Sequence, residues 1–263
     1  MNYAAAAGTP ASTTVHTSAE GLIHGDFQLP VPGGTQEAYY AAPEGLKGAP
    51  LVLVVQEIFG VHEHIKDICR RLAHAGYFAV ASNLYQRQGD ASRYTDIGKL
   101  IADIVAKVPD EQVYGDLDAA VAWAGAQGAD ASRLGITGFC WGGRATWMYA
   151  AHNPKVRAGV AWYGKLASGH GPLIKSLPLD IAAELHGPVL GLYGAQDQSI
   201  PLEDVRAMEA KLAAGSDAAR ASRFVVYPDS GHAFLADYRP SYNAVDAKDG
   251  WERMLGWFGR YLA

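Results

Sequence analysis

Cysteine is nearly absent, and the two copies present, Cys69 and Cys140, exclude a disulfide-stapled scaffold. So little cysteine agrees with a reducing compartment, and the expected location is cytoplasmic. Long apolar runs are missing too: none reaches the ~18 residues of a membrane span, so no membrane partner is expected. Basic charge is not in excess. Twenty-two Lys and Arg stand against 27 Asp and Glu, a formal net charge of −5, which leaves no electrostatic footprint for nucleic acid. Residues 1–21 contain no Lys or Arg and no apolar core, so they do not read as a secretory leader. A dinucleotide fingerprint is lacking, because Gln56-Glu57-Ile58-Phe59-Gly60 stands where Gly-x-Gly-x-x-Gly would follow the first parallel strand. His62-Glu63-His64 fails as a zincin helix, since the second histidine would fall at Lys66. No metal and no cofactor are expected.

What is present is a core-forming chain, 49% hydrophobic. Residues 1–21, rich in Ala, Thr, Ser, Gly and Pro, read as a flexible or loosely attached arm. Residues 22–263 read as one domain. Strands are predicted at 22–29, 37–42, 50–56 and 78–81, then at 133–137, 158–162, 189–193 and 223–227. Helices are predicted at 64–75, 95–107, 110–127, 202–214 and 248–262. In the last, Trp251, Met254, Leu255, Phe258 and Leu262 share one face and read as core. Strand and helix alternate from residue 50 onward, which argues for a mostly parallel central sheet with helices on both faces.

The most informative stretch is Gly138-Phe139-Cys140-Trp141-Gly142-Gly143, between an apolar run and a helical segment. It has the strand–turn–helix form of a nucleophile elbow, with Cys140 where serine is usual. The glycines on either side let helix and strand approach closely. The helix N-terminus favours a thiolate. A small buried core cysteine is the competing reading, and it is the one preferred for Cys69.

In open α/β sheets functional groups gather past the C-terminal strand ends. Asp197 follows the run at 189–193, and His232 follows the run at 223–227. Cys140, Asp197, His232 is the nucleophile–acid–histidine order of α/β-hydrolases. A free thiol with pKa about 8.5 is mostly protonated near neutrality. His232 would take the Cys140 proton and return one to the leaving group, while Asp197 would hold the imidazole. Glu57, from its position alone, is a carboxylate past a strand end, equally a salt-bridge partner or a catalyst.

Together, Gln56-Glu57-Ile58-Phe59-Gly60-Val61, Gly138-Phe139-Cys140-Trp141-Gly142-Gly143, Gly194-Ala195-Gln196-Asp197 and Gly231-His232-Ala233-Phe234 resemble the motifs of the dienelactone hydrolase (carboxymethylenebutenolidase) family. The likeness is closest to its bacterial cytosolic branch with an N-terminal extension. It implies an α/β-hydrolase fold and a cofactor-free hydrolase of small esters or enol-lactones acting through a thioester. It also implies that Glu57 contacts the resting thiol until substrate reorganises that contact, and that the Ile58 and Trp141 backbone N–H groups form an oxyanion hole.

Two arginines bind the lactone carboxylate in the best-known members. Arg87, in Leu84-Tyr85-Gln86-Arg87, matches one. The other falls at Ala236, with Arg239 three residues on as a substitute. Phe59, Tyr85 and Tyr163 are candidate pocket aromatics, each equally at home in packing. Arg144 reads as an exposed helix residue or a structural ion pair. The expected partner is a small ester or lactone, and the expected state a monomer or small homo-oligomer. Two alternatives stand beside this reading: an esterase or thioesterase on an unrelated acyl substrate, and a non-hydrolytic thiol-redox or binding protein on the same fold.

Overall fold

In the computed structural model, which describes residues 5–263, eight strands form one sheet ordered β1-β2-β4-β3-β5-β6-β7-β8. The strands are β1 (Leu22–Val31), β2 (Gly34–Pro43), β3 (Pro50–Val55), β4 (Phe78–Ser82), β5 (Asp130–Phe139), β6 (Val156–Trp162), β7 (Val189–Gly194) and β8 (Arg223–Tyr227). The helices are α1 (Glu63–His74), α2 (Ile97–Asp103), α3 (Asp110–Ala126), α4 (Trp141–His152), α5 (Pro178–Ile181), α6 (Leu202–Ala213), α7 (Asp217–Ala221) and α8 (Ala244–Tyr261). β1, β2 and β4 pair antiparallel, and the remaining neighbours pair parallel. Leu51, Val52, Leu53 and Val55 have no exposed surface. A parallel strand covered on both faces requires such a continuous apolar run. This is the mostly parallel sheet that the strand–helix alternation predicts, in the α/β-hydrolase architecture that the resemblance implies.

Local chemistry explains where elements depart from the expected bounds. The first hairpin is tighter than expected: β1 and β2 run up to the Val31–Gly34 pair, and Gly33 turns the chain at φ 87°. The helix expected over 95–107 breaks at Ile104 (φ −121°, ψ −67°), leaving α2 and a short 3-10 turn. α8 starts four residues early because the Asn243 side chain caps it, accepting from the Val245 and Asp246 N–H groups.

Within the N-terminal segment expected as a flexible or loosely attached arm, residues 11–17 are hydrogen-bonded to the domain. Ala11 N–H donates to Tyr238 O at 3.0 Å. Thr13 Oγ1 donates to Asp237 O at 2.5 Å. Thr17 donates its N–H and hydroxyl to the buried Asp67 carboxylate at 2.6 and 3.1 Å, and Arg70 Nε reaches Thr17 O at 3.0 Å. Polar side chains of α1 and the 237–238 backbone therefore hold a segment whose own composition supplies almost no apolar anchor.

Candidate active site

Cys140 sits between β5 and α4 at φ 56°, ψ −112°, a region non-glycine residues rarely enter. The surrounding backbone enforces that strain. A Cβ at Gly138 would come within 2.2 Å of Gly142 O, and one at Gly142 within 2.4 Å of Val55 O. One at Gly143 would come within 2.4 Å of Trp162 O. The three glycines thus allow α4 to start against β3, β5 and β6. Cys140 N–H is anchored to Trp162 O at 3.0 Å. The side chain is half-buried, whereas Cys69 on α1 is wholly buried and its thiol is pushed well up by burial.

Asp197 follows β7 and His232 follows β8. His232 Nδ1 lies 2.6 Å from Asp197 Oδ2. Asp197 Oδ1 accepts from the Ser199 N–H and hydroxyl at 2.8 and 2.7 Å. Burial works against the Asp197 charge, but the bonds from His232 and Ser199 leave the carboxyl below its ordinary range. Burial likewise disfavours the His232 cation. Cys140 and Asp197 outweigh it and push the imidazole up to about 10, the Cys140 contribution including a side-chain hydrogen bond. The structure thus pairs His232 with Asp197 and brings His232 and Cys140 to the wall of one cavity. Tyr163, at φ 38°, places its ring edge-to-face with His232, centroids 5.2 Å apart.

Glu57 lies two residues past β3 and is 1% exposed. Tyr238 donates its hydroxyl to Oε2 at 2.6 Å, and His62 Nε2 lies 3.4 Å from the same oxygen. Burial opposes the charge, yet His62, His64 and Tyr238 hold the carboxyl at about 2. Its other oxygen, Oε1, is buried and accepts no hydrogen bond among the described residues. The hydrogen bond that Glu57 accepts among the described residues comes from Tyr238, and Glu57 shares the cavity lining with Cys140.

A cavity of about 230 Å³ opens over these groups. Cys140, His232, Glu57, Ile58, Phe59, Trp141, Tyr163 and Arg239 all line it. Trp141 opens α4, so helix geometry leaves its N–H without an intrahelical acceptor. The guanidinium of Arg239 lies 5.6 Å from the Phe59 ring centre. Two expected contacts are absent. Arg87 does not reach the cavity, because its guanidinium is taken by the buried Asp116 carboxylate and by Pro32 O. Tyr85 is buried behind the wall, edge-on to Trp141 at 4.9 Å, and supports that residue rather than the cavity surface. Arg144 is not exposed. It is 3% exposed and binds both Asp110 oxygens at 2.7 and 2.8 Å.

Sequence reasoning missed Lys165, His170 and Ser199 in the lining, and Tyr238 and His62 behind Glu57. Lys165 and Arg239 have no ion-pair partner among the described residues, and both face the cavity. Burial, with Lys165, Arg144 and His232 nearby, holds His170 down to about 4. Among the described residues no cluster of three His, Cys, Asp or Glu is arranged to hold a metal ion. Nor is any described helix long and apolar enough to cross a membrane.

The comparisons with known proteins agree with this geometry. The family model described as "Dienelactone hydrolase family" matches residues 36–262. A Methylorubrum extorquens protein named "Putative carboxymethylenebutenolidase" is 57% identical over 253 residues, covering 95% of this chain and 86% of that protein. An Escherichia coli K12 protein of the same name is 54% identical over 260 residues, covering 98% and 95%. The crystal structure of a "Putative Dienelactone Hydrolase" from Klebsiella pneumoniae superposes with a TM-score of 0.88 at 54% identity, over 91% of this chain and 99% of that one. With the fold, the elbow and these likenesses in agreement, the chain is a hydrolase and belongs to the dienelactone hydrolase family.

Proposed function

We propose that the protein hydrolyses small esters or enol-lactones through a thioester on Cys140. The observation that carries this reading is the 2.6 Å contact from Asp197 to His232, whose imidazole lines the same cavity as a thiol at a strained elbow. The Cys140 thiolate attacks the acyl carbon, and the carbonyl electrons move onto oxygen. That oxyanion is met by the N–H groups of Ile58 and Trp141. Preorganised donors of this kind contribute about 2.7–4 kcal/mol each in acyl-transfer sites. When the tetrahedral intermediate collapses, the C–O bond breaks, and the His232 imidazolium protonates the departing oxygen. Water then attacks the thioester while His232 takes its proton. The acid leaves and the thiolate is restored. Asp197 holds the imidazole orientation throughout.

Arg239 is the candidate for a negatively charged substrate group. Lys165 supports it, since both line the cavity without an ion-pair partner among the described residues. With Arg87 bound to Asp116 and Ala236 at the second family position, a neutral ester or thioester is the alternative substrate. The protein is taken to work in the cytoplasm. Substituting Cys140→Ala is expected to abolish turnover of ester and lactone panels with an unchanged melting temperature; retained turnover would remove Cys140 from the chemistry. Rapid-quench mass spectrometry of the wild type should show one acyl group on the peptide containing Cys140. Comparing anionic with neutral lactones decides between the two substrate classes, and Arg239→Ala should slow only the anionic ones.

A further inference from the structure

The cavity over Cys140 and His232 is lined by apolar side chains of two kinds. Ile58, Phe59, Trp141 and Tyr163 are buried in the packing of the site, so they offer a ligand little further surface to cover. Ile97 and Ile101 differ. Both line the cavity, yet Ile97 is 38% exposed and Ile101 is only half-buried. Four residues apart on α2, they share one face of that helix.

The seat of α2 is made elsewhere. Leu100 is wholly buried, and Ile104, just past the helix, is nearly so. The Asp96 side chain caps the first turn, accepting from Lys99 N–H at 2.7 Å. A lone exposed hydrophobic side chain is ordinary, and Ile23 on β1, 45% exposed, is one. Ile97 is set apart by its place on the wall of a cavity that also holds a thiol and an imidazole, and by the second isoleucine beside it. Apolar surface left in water at a concave site is the surface that gains most when a ligand covers it.

The chemistry of the occupant is bounded on two sides. α2 contributes no charged side chain to the lining, whereas Arg239 and Lys165 come from the segments after His232 and after β6. The α2 wall therefore suits an uncharged hydrocarbon group. The cavity, about 230 Å³, is smaller than the ~300–1,000 Å³ of sites for drug-sized ligands, which limits that group to a short chain or one ring.

We propose that Ile97 and Ile101 form an apolar subsite that selects esters or lactones carrying a short alkyl chain or a single hydrocarbon ring. This rests on the reading of the cavity as a hydrolase site and names the substrate class that it takes. The two isoleucines set specificity and take no part in the bond-making steps.

The test is titration calorimetry of the full-length protein with primary amides, acetamide through hexanamide, and with benzamide. These probes are uncharged, so Arg239 and Lys165 do not sort them, and they resist cleavage far better than esters. Affinity should rise by about two- to fourfold for each added methylene until the cavity is full, the worth of burying that group. Benzamide should bind more tightly than acetamide for the same reason. The heat-capacity change on binding should grow more negative along the series, the mark of apolar burial. Ile97→Ser should lower the ratio of hexanamide to acetamide affinity by about fivefold or more, and Ile101→Val, one methylene shorter, by about two- to fourfold. Ile23→Ser, outside the cavity, should leave that ratio at its wild-type value. An affinity that does not rise with chain length overturns the proposal. So does a wild-type ratio in Ile97→Ser, which would put the hydrocarbon against another wall. If Ile97→Ser does not fold, Ile101→Val decides by the same two results. The titration requires neither ester cleavage nor a reactive thiol. A failure of the hydrolase reading would appear separately, as unchanged turnover in Cys140→Ala.

Discussion

Asp197 and Glu57 are both buried carboxylates a few residues past the ends of parallel strands, and both stay charged against the cost of burial. They are held in different ways. Asp197 is served by its own turn, through Ser199 two residues on, and by His232. Glu57 depends on Tyr238, 181 residues away, and on a histidine that opens the following helix. The first arrangement is local and repeats what a short motif encodes. The second exists only after the N-terminal arm, α1 and the segment following His232 have come together. A local carboxylate suits a fixed task, orienting one imidazole. A carboxylate held by remote elements can be tuned without touching the Asp197–His232 pair.

The contrast can be broken at either end. The largest expected effect is on the Asp197 side: Asp197→Asn should lower kcat by about 10⁴, as loss of the orienting acid does in other triads. Steady-state kinetics with the melting temperature unchanged would check it, and a loss of only a few fold would mean His232 is oriented by something else. On the Glu57 side the readout is stability against pH. The folded protein holds this carboxyl at about 2, below its ordinary 4.5, so its stabilising contribution is complete above 4.5 and is lost as pH falls toward 2. The stability difference between wild type and Glu57→Gln should therefore shrink across that window in urea titrations. A difference that does not vary with pH would contradict the assignment. Ser199→Ala removes the hydroxyl contact to Asp197 and leaves the backbone one, and should cost about three- to tenfold in kcat, from the usual worth of a side-chain hydrogen bond. The smallest effect belongs to the arm: Thr13→Val should lower the melting temperature by about 2–4 °C, one hydrogen bond spread over a chain of this size.

Much of the fold was legible because its signals are local. β3 is a continuous apolar run, and the elbow is a run of six residues whose glycines have a steric purpose. α8 was legible from its apolar face, while its early start hinged on the Asn243 cap, a contact with no apolar signal. The illegible parts share a cause. Arg87 stood in a matching motif, but Asp116 on α3 takes it. Arg144 reads either as an exposed helix residue or as a structural ion pair, and Asp110 at the start of α3 makes it the ion pair. In both cases the sequence shows the arginine and hides the carboxylate, because pairing across elements follows from packing rather than spacing. His62 drew notice only as a failed metal motif, and Tyr238 carried no motif at all.

By itself the sequence determined the family, the strained cysteine and the Cys–Asp–His order. Each is written into a few adjacent residues whose backbone demands are independent of the rest of the chain. The tertiary structure alone decided which charge answers which. It paired Arg87 of the Leu-Tyr motif and Arg144 of the elbow helix with carboxylates of α3, and it set Tyr238 and His62 beside Glu57. A buried charge is stable only beside its partners, and those partners arrive from distant parts of the chain when the core closes.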